Sequence, residues 1–266
     1  MRTFNLLWAG ALFIILCGCA TRSTVYPEFK QPPTISVSKD TVSTMTETAA
    51  EDHLIPGSQV FVAGKGGAAR YFGLVGMAID KSRNESAVTS TQDALRLSFD
   101  EELSQALKRG ARPVTVSPSG GDVLLLPAAR LVMRDDERSE LSFRVTARFN
   151  GDEGRKNYLY LYGVRPLAGE DGWTANQGRS FKQASGEAMD RLANIIVDDL
   201  YGAYRQSTDP AGQRIVRWKL LTGEQIASGV LLKDEPDFLV VMPVFRDKPM
   251  TGIVGVLPKA LIRLQP

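Results

Sequence analysis

The sequence predicts an α+β fold, in which an antiparallel sheet carries helices on one face and a small β-barrel-like module follows at the C-terminus. Two helical patterns, at residues 94–109 and 180–204, enclose a group of strand patterns. Polar and apolar side chains alternate in those strands, as they do in half-buried antiparallel strands. Five more short strand patterns crowd into residues 215–264, and this density is typical of a small barrel or sandwich.

The first 18 residues have the features of a signal peptide. Arg2 supplies a positive start, and an uncharged apolar run extends from Leu6 to Cys17. This run is shorter than the roughly 20 residues that a membrane-spanning helix needs, and its length suits the core of a secretory signal. It ends in Leu16-Cys17-Gly18-Cys19, which resembles the lipobox of bacterial lipoproteins.

That resemblance implies cleavage before Cys19, acylation of Cys19 and a lipid anchor in the membrane. Ala20 follows the acceptor, and by the same resemblance it indicates sorting to the periplasmic face of the outer membrane. The alternative is an ordinary secretory signal, with Cys19 a plain thiol. Cys17 and Cys19 are the only cysteines, so the body of the chain contains no disulfide.

Residues 19–55 are predicted to be a lipidated flexible tether. They are rich in Thr, Ser, Pro and Glu and show no sustained apolar period. Such a composition buries too little apolar surface to offset the entropy of ordering. As a random coil this segment would span roughly 30–36 Å. Residues 34–37 are the one short piece with the pattern of a strand that adds to a sheet edge.

Residues 56–205 form the predicted α+β domain. Strands are predicted at residues 60–62 and 123–133. A helix with one apolar face is expected from residue 94 to residue 109. The clearest strand is residues 141–149, which returns through a turn at residues 150–154 into residues 158–162. Ser180 and Gln183 match a capping box at the start of the second helix.

Residues 206–266 form the predicted C-terminal module. Its strand patterns are followed by Pro258-Lys259-Ala260, which predicts one helical turn before the last strand. That order resembles SH3-like and Sm-like small barrels. Gly223, Gly229 and Asp234 match the Sm pattern only loosely, so the resemblance carries over no RNA-binding residue.

The composition argues against several classes of function. The formal net charge is only +2, so there is no strong basic field for nucleic acid. His53 is the only histidine, which leaves a Ser-His-Asp or Cys-His arrangement almost without a candidate base. Zinc sites of the His and Cys type are excluded by count. We therefore expect no enzymatic activity, no catalytic residues, no cofactor and no metal.

The best candidate for a binding surface lies on the two strands at residues 141–149 and 158–162. If Leu159 and Leu161 continue the core face, then the opposite face carries two arginines and three tyrosines. These are Arg144, Arg148, Tyr158, Tyr160 and Tyr162. Arginine and aromatic side chains are enriched at binding hot spots. The alternative is an outer sheet face that is solvated or covered by the C-terminal module.

A helix, several strands and a second helix behind a lipid anchor also resemble, in architecture alone, envelope-assembly lipoproteins such as the curli-secretion lipoprotein and the penicillin-binding-protein activators. The resemblance implies an accessory or scaffold role, with a protein partner in a cell-envelope assembly, secretion or transport system. The alternative expectation is a carrier lipoprotein that binds a lipid or glycan. A carboxylate-based hydrolase is a third reading.

Overall fold

The computed structural model describes residues 26–39, 52–55, 57–63, 92–133, 138–151, 154–204, 213–221, 226–245 and 248–265. The predicted signal peptide and the acceptor Cys19 lie outside the described residues. The backbone of His53 is described as part of a strand, whereas its side chain is not.

Within these ranges the protein is a mixed α/β structure with two helices packed on one large sheet. The helices are α1 (Asp100–Arg109) and α2 (Ala175–Leu200). The strands are β1 (Thr34–Val37), β2 (Asp52–Leu54), β3 (Val60–Ala63), β4 (Thr115–Ser117), β5 (Val123–Met133), β6 (Arg138–Phe149), β7 (Arg155–Pro166), β8 (Ile215–Leu220), β9 (Ile226–Asp234), β10 (Phe238–Phe245), β11 (Lys248–Pro249), β12 (Ile253–Pro258) and β13 (Ile262–Gln265).

The strand order in the sheet is β13-β8-β9-β10-β12-β7-β6-β5-β1-β4, with β3 also paired to β5, β2 to β3 and β11 to β10. Most neighbours are antiparallel, as predicted. The contacts of β12 with β7, of β3 with β5, and of β1 with β5 and β4 are parallel. The C-terminal strands therefore continue the same sheet across the predicted boundary at residues 205 and 206.

Helix α2 supplies most of the helical cover of the core. Its apolar face is buried: Phe181, Ala184, Ala188, Leu192, Ile195, Ile196 and Leu200. Asn176, Gln177 and Gly178 have left-handed backbone angles, so the regular right-handed helix begins after Gly178. A Cβ at Gly178 would lie 2.2 Å from the carbonyl oxygen of Ala94, which requires glycine there.

The helix predicted over residues 94–109 is shorter than expected, because the chain leaves the helical conformation at residues 96–99. Gln59 explains the interruption. Its side-chain oxygen accepts a 2.6 Å hydrogen bond from the backbone amide of Phe99, and the backbone amide of Gln59 donates to the Leu97 carbonyl at 2.9 Å. Phe99 is thereby turned into the core, where its ring meets Phe143 and Phe181 edge to face.

The prediction of a flexible tether over residues 19–55 is wrong for residues 26–33 and 38–39, whereas residues 34–37 form a strand as expected, although not at an edge of the sheet. Strand β1 pairs in parallel with β5 on one side and β4 on the other, and Ile35 is fully buried. Upstream of it, the Phe29 amide donates to the Leu200 carbonyl at 2.9 Å. Composition suggested disorder because polar residues surround this strand. The few apolar side chains, placed between two neighbours, are nevertheless enough to dock it.

Strand β10 connects two apolar clusters through the alternation of its side chains. Val240 belongs to the main core under α2, together with Val254 and Val256 of β12. Leu239 and Val241 point the other way, into a second cluster built from the C-terminal strands. That cluster also contains Val216, Trp218 and Ile262.

Candidate functional site

The five predicted binding residues do not share one face of the sheet. Register places Tyr160 opposite Phe143 and Tyr158 opposite Val145, so the tyrosines lie on the helix-covered side. Tyr158 is fully buried and Tyr160 is 7% exposed. Arg144 pairs instead with Leu159, on the other side. The predicted surface is therefore wrong in its composition, since its tyrosines belong to the core.

Two of the three tyrosines, Tyr158 and Tyr162, bind acidic groups of helix α2. Tyr158 donates a 2.5 Å hydrogen bond to Asp199, and Lys156 forms a 2.6 Å ion pair with the same carboxylate. Burial, and then the charge of Asp199, raises the pKa of Tyr158 well above its usual value. This cluster fastens β7 to the C-terminal end of α2, so it is part of the framework.

Tyr162 makes a similar bond nearer the surface. It donates a 2.6 Å hydrogen bond to Glu187 of α2. That bond, together with one from Gln183, lowers the pKa of Glu187. Partial burial, and then the same bond, raises the pKa of Tyr162. These phenols therefore stay protonated as donors at neutral pH, and they orient α2 on the sheet.

The side of the sheet away from the helices contains an open groove with a volume of about 510 Å³. Its floor follows one cross-strand row, in which Ala128, Arg144, Leu159, Gly255 and Val241 are successive partners on β5, β6, β7, β12 and β10. Of the predicted residues, Arg144 lines this groove, whereas Arg148 lies farther along β6 opposite Arg155.

The wall of the groove comes from the C-terminal strands. Trp218 of β8, Pro243 of β10 and Leu257 of β12 line it. A Cβ at position 255 would come within 3.3 Å of the Val241 side chain, so the absence of a side chain at Gly255 leaves space in the floor of the groove. Sequence reasoning missed these residues because it placed them in a separate module. The alternation of β8, in which Val216 and Trp218 are buried, was the one available sign that Trp218 points inward.

The lining of the groove is mainly apolar, and it includes the guanidinium-bearing residues Arg130 and Arg144. Leu159 is 37% exposed at its centre. An apolar concave surface with a few polar groups is the usual form of a ligand or peptide site. Arginine adds a preference for carboxylate or phosphate, because its planar fork donates two parallel hydrogen bonds. The groove therefore suits an amphipathic occupant with an anionic group.

A second cavity of about 640 Å³ lies between α1, β1 and the loop after β4. It is lined largely by serines, with Lys39 and Lys108. Lys39 is paired with Asp100 at 3.5 Å and remains 72% exposed. The cavity thus has a solvated, partly neutralised lining and lacks the apolar floor of the groove.

Two further observations concern only the part of the chain that the structure describes. No group of three or more His, Cys, Asp or Glu side chains is arranged to hold a metal ion. None of the described helices is both long and apolar enough to cross a membrane.

Comparisons with protein-family models, with curated proteins and with solved structures give no match.

Proposed function

We propose that the protein is a non-enzymatic lipoprotein that binds a partner on the periplasmic face of the outer membrane. Acylated Cys19 supplies the anchor, and the partner belongs to a cell-envelope assembly, secretion or transport system. The observation that supports a binding role is the apolar groove beside Arg144 and Leu159. The sequence supports the anchor and the non-enzymatic assignment.

The partner that best fits the groove is a polypeptide segment with apolar side chains and an acidic group. Leu159 and Leu257 offer it apolar contact, and the positive charge of Arg144 in the lining favours an acidic group. The groove crosses five strands, so an extended segment could contact several of them at once.

The alternative function is a lipid or glycan carrier, and the groove volume is the observation that favours it. A volume of about 510 Å³ lies within the roughly 300–1,000 Å³ range of small-molecule sites. An acyl chain would lie on the apolar floor, and an anionic head group would meet the arginines.

We also infer that β8–β13 curl into a small SH3-like barrel. Strand β13 returns to pair with β8, after a 3-10 turn at Lys259–Leu261 that separates it from β12. The second apolar cluster, which includes Trp218 and Ile262, fits the interior of such a barrel. The barrel would hold Trp218 rigidly as the wall of the groove.

The test is site-specific photo-crosslinking in cells with the full-length chain. Benzoylphenylalanine replaces Leu159 in the groove or, as a matched control, Ile215, which is 59% exposed and does not line it. We expect a defined protein adduct from position 159 alone. Leu159→Glu should abolish copurification of that protein, because a charge on the apolar floor is unfavourable, whereas Ile215→Glu should not.

The mass of the adduct distinguishes the two functions. A lipid or glycan adduct at position 159 would favour the carrier. Equal, non-specific labelling at both positions would refute a binding role for the groove. The anchor is tested separately, by the mass of the mature chain and by membrane fractionation. Cys19→Ala should remove the acyl chains and release the protein from the outer-membrane fraction.

A further inference from the structure

The chain is fixed to the folded body from Tyr26 onward. The Tyr26 hydroxyl donates a 2.8 Å hydrogen bond to the Arg155 carbonyl, and its ring packs 5.5 Å from that of Phe149. The ammonium group of Lys156 lies 4.9 Å from the centre of the Tyr26 ring. These contacts hold both the hydroxyl group and the ring of Tyr26, so the described chain begins at a defined place on the folded body.

The distance from that place to the membrane anchor is short. Only seven peptide steps separate Cys19 from Tyr26, and a fully extended chain advances at most about 3.6 Å per residue, or roughly 25 Å in all. As a random coil the same segment spans roughly 15 Å. If Cys19 is acylated, as the proposed function requires, the Tyr26 end of the body must lie near the lipid surface.

Tyr26 lies beside the hairpin that joins β10 to β12, at the end of the sheet where β7 begins. A Cβ on Gly252 would lie 2.9 Å from the Tyr26 hydroxyl oxygen, and the Gly252 carbonyl accepts the amide of Asn157. This hairpin exposes two large apolar side chains, with Phe245 61% exposed and Met250 40% exposed.

Lys248 also lies exposed on this hairpin, directly opposite Phe245. Its long apolar stem can lie along the apolar surface while its ammonium stays among phospholipid head groups. Strand β8 ends and strand β9 begins at the end of the sheet where β10 reaches Phe245, because β10 pairs antiparallel with β9 through Pro243 and Gly229.

Leu221 directly follows β8 and Ile226 is the first residue of β9, and their side chains are 59% and 61% exposed. Of the seven large apolar side chains exposed in the described part of the chain, four thus lie at the end from which the anchor segment departs. Exposed apolar side chains grouped in this way mark a contact surface.

We propose that the hairpin carrying Phe245, Lys248 and Met250 rests on the phospholipid surface that holds acylated Cys19. The bilayer is the occupant because the anchor segment, even fully extended, keeps this end within about 25 Å of the lipid surface. The protein then has one fixed orientation on the membrane, rather than the free reach of a long tether, and the groove is held at a set height above the lipid.

The test uses single cysteines, because Cys19 is the only cysteine after the signal peptide. The full-length chain, matured in cells, carries Phe245→Cys or Met250→Cys labelled with the environment-sensitive dye NBD. The control is Pro236→Cys, which is exposed in the turn at the opposite end of β10. Each protein is reconstituted into vesicles of phosphatidylethanolamine and phosphatidylglycerol that contain spin-labelled lipid, and acylation is read from the intact mass.

Positions 245 and 250 should show blue-shifted emission and several-fold stronger quenching by the spin-labelled lipid than position 236. Replacing Met250 by Glu in the Phe245→Cys protein should weaken that quenching, because the charge disfavours contact with the bilayer. Equal quenching at all three positions in acylated protein would overturn the orientation and leave the anchor intact. A mass without acyl chains would refute the anchor and the orientation together.

Discussion

Removing either partner of the ion pair between Lys156 and Asp199 should destabilise the fold more than any surface substitution. The Lys156 and Asp199 side chains are only 12% and 7% exposed, and their charged atoms are 2.6 Å apart. Tyr158 donates to the same carboxylate, and Tyr26 lies beneath the Lys156 ammonium. The pair thus joins β7, the end of α2 and the segment that leads to the anchor.

The magnitude follows from the burial of the two charges. Removing one member of a buried pair typically costs about 3–5 kcal/mol, because the other charge is left unpaired. Lys156→Met keeps the apolar stem but leaves Asp199 with the Tyr158 hydroxyl alone, so we expect a loss of about 3 kcal/mol. Asp199→Asn should cost less than Lys156→Met, since the slightly exposed ammonium can turn toward water. The double variant should lose less than the sum of the two.

A double-mutant cycle measures this coupling. The chain from residue 20 onward, its two single variants and the double variant are unfolded in urea and followed by the fluorescence of Trp173 and Trp218, both of which are buried. We expect a coupling energy of about 1–3 kcal/mol, typical of residues in direct contact. If either single variant loses less than about 1 kcal/mol of unfolding free energy, or if the two losses are strictly additive, then this ion pair does not stabilise the fold as proposed.

Three further predictions concern single positions. Burial raises the pKa of Glu102 in α1, so its ionisation opposes folding as the pH rises above the usual carboxylate value. Glu102→Gln should therefore raise the urea midpoint at pH 7 but not at pH 3. Equal midpoints of the variant and the unchanged protein at pH 7 would contradict this. Gly229→Ala should destabilise the fold by about 1–3 kcal/mol in the same urea titration, because a Cβ would lie 2.8 Å from the Met242 carbonyl oxygen. The control Gly186→Ala should be neutral or stabilising, because no atom lies within 4 Å of a Cβ at that helical position. Trp218→Ala should cost about 3–5 kcal/mol in thermal unfolding and also reduce crosslinking from the groove; a loss below about 1 kcal/mol would show that the second cluster does not depend on it.

The local patterns predicted most of the elements but not the side on which β7 is covered. Tyr158 and Leu159 belong to opposite faces of β7, and both faces are largely apolar. Hydropathy favours leucine for the core, and the sequence prediction therefore places the tyrosines outward. The hydroxyl groups of Tyr158 and Tyr162 are satisfied by Asp199 and Glu187 of α2, and only the tertiary structure brings these carboxylates to them. Leu159 instead lines the groove, where apolar side chains also belong.

Two other differences between the predicted and the observed elements arise from contacts with residues that are distant in the sequence. The break before α1 depends on Gln59, whose side chain holds the Phe99 amide across forty residues. The docking of β1 depends on β5, which lies about ninety residues later in the chain. A periodicity count over a short window contains neither partner. Conversely, the β8–β13 patterns were confirmed closely because their pairing is mostly between consecutive strands.

Both predicted parts of the chain contribute residues to the lining of the groove. Its floor is continuous only because Gly255 of β12 pairs in register with Leu159 of β7. The same strand carries Val254 and Val256 into the main core, while Leu257 packs against the second cluster. Removing residues 206–266 would therefore leave β7 with an unpaired edge, uncover part of the core and delete the wall formed by Trp218. The C-terminal strands complete the fold and the groove together, so a partner that occupies the groove must contact both parts of the chain.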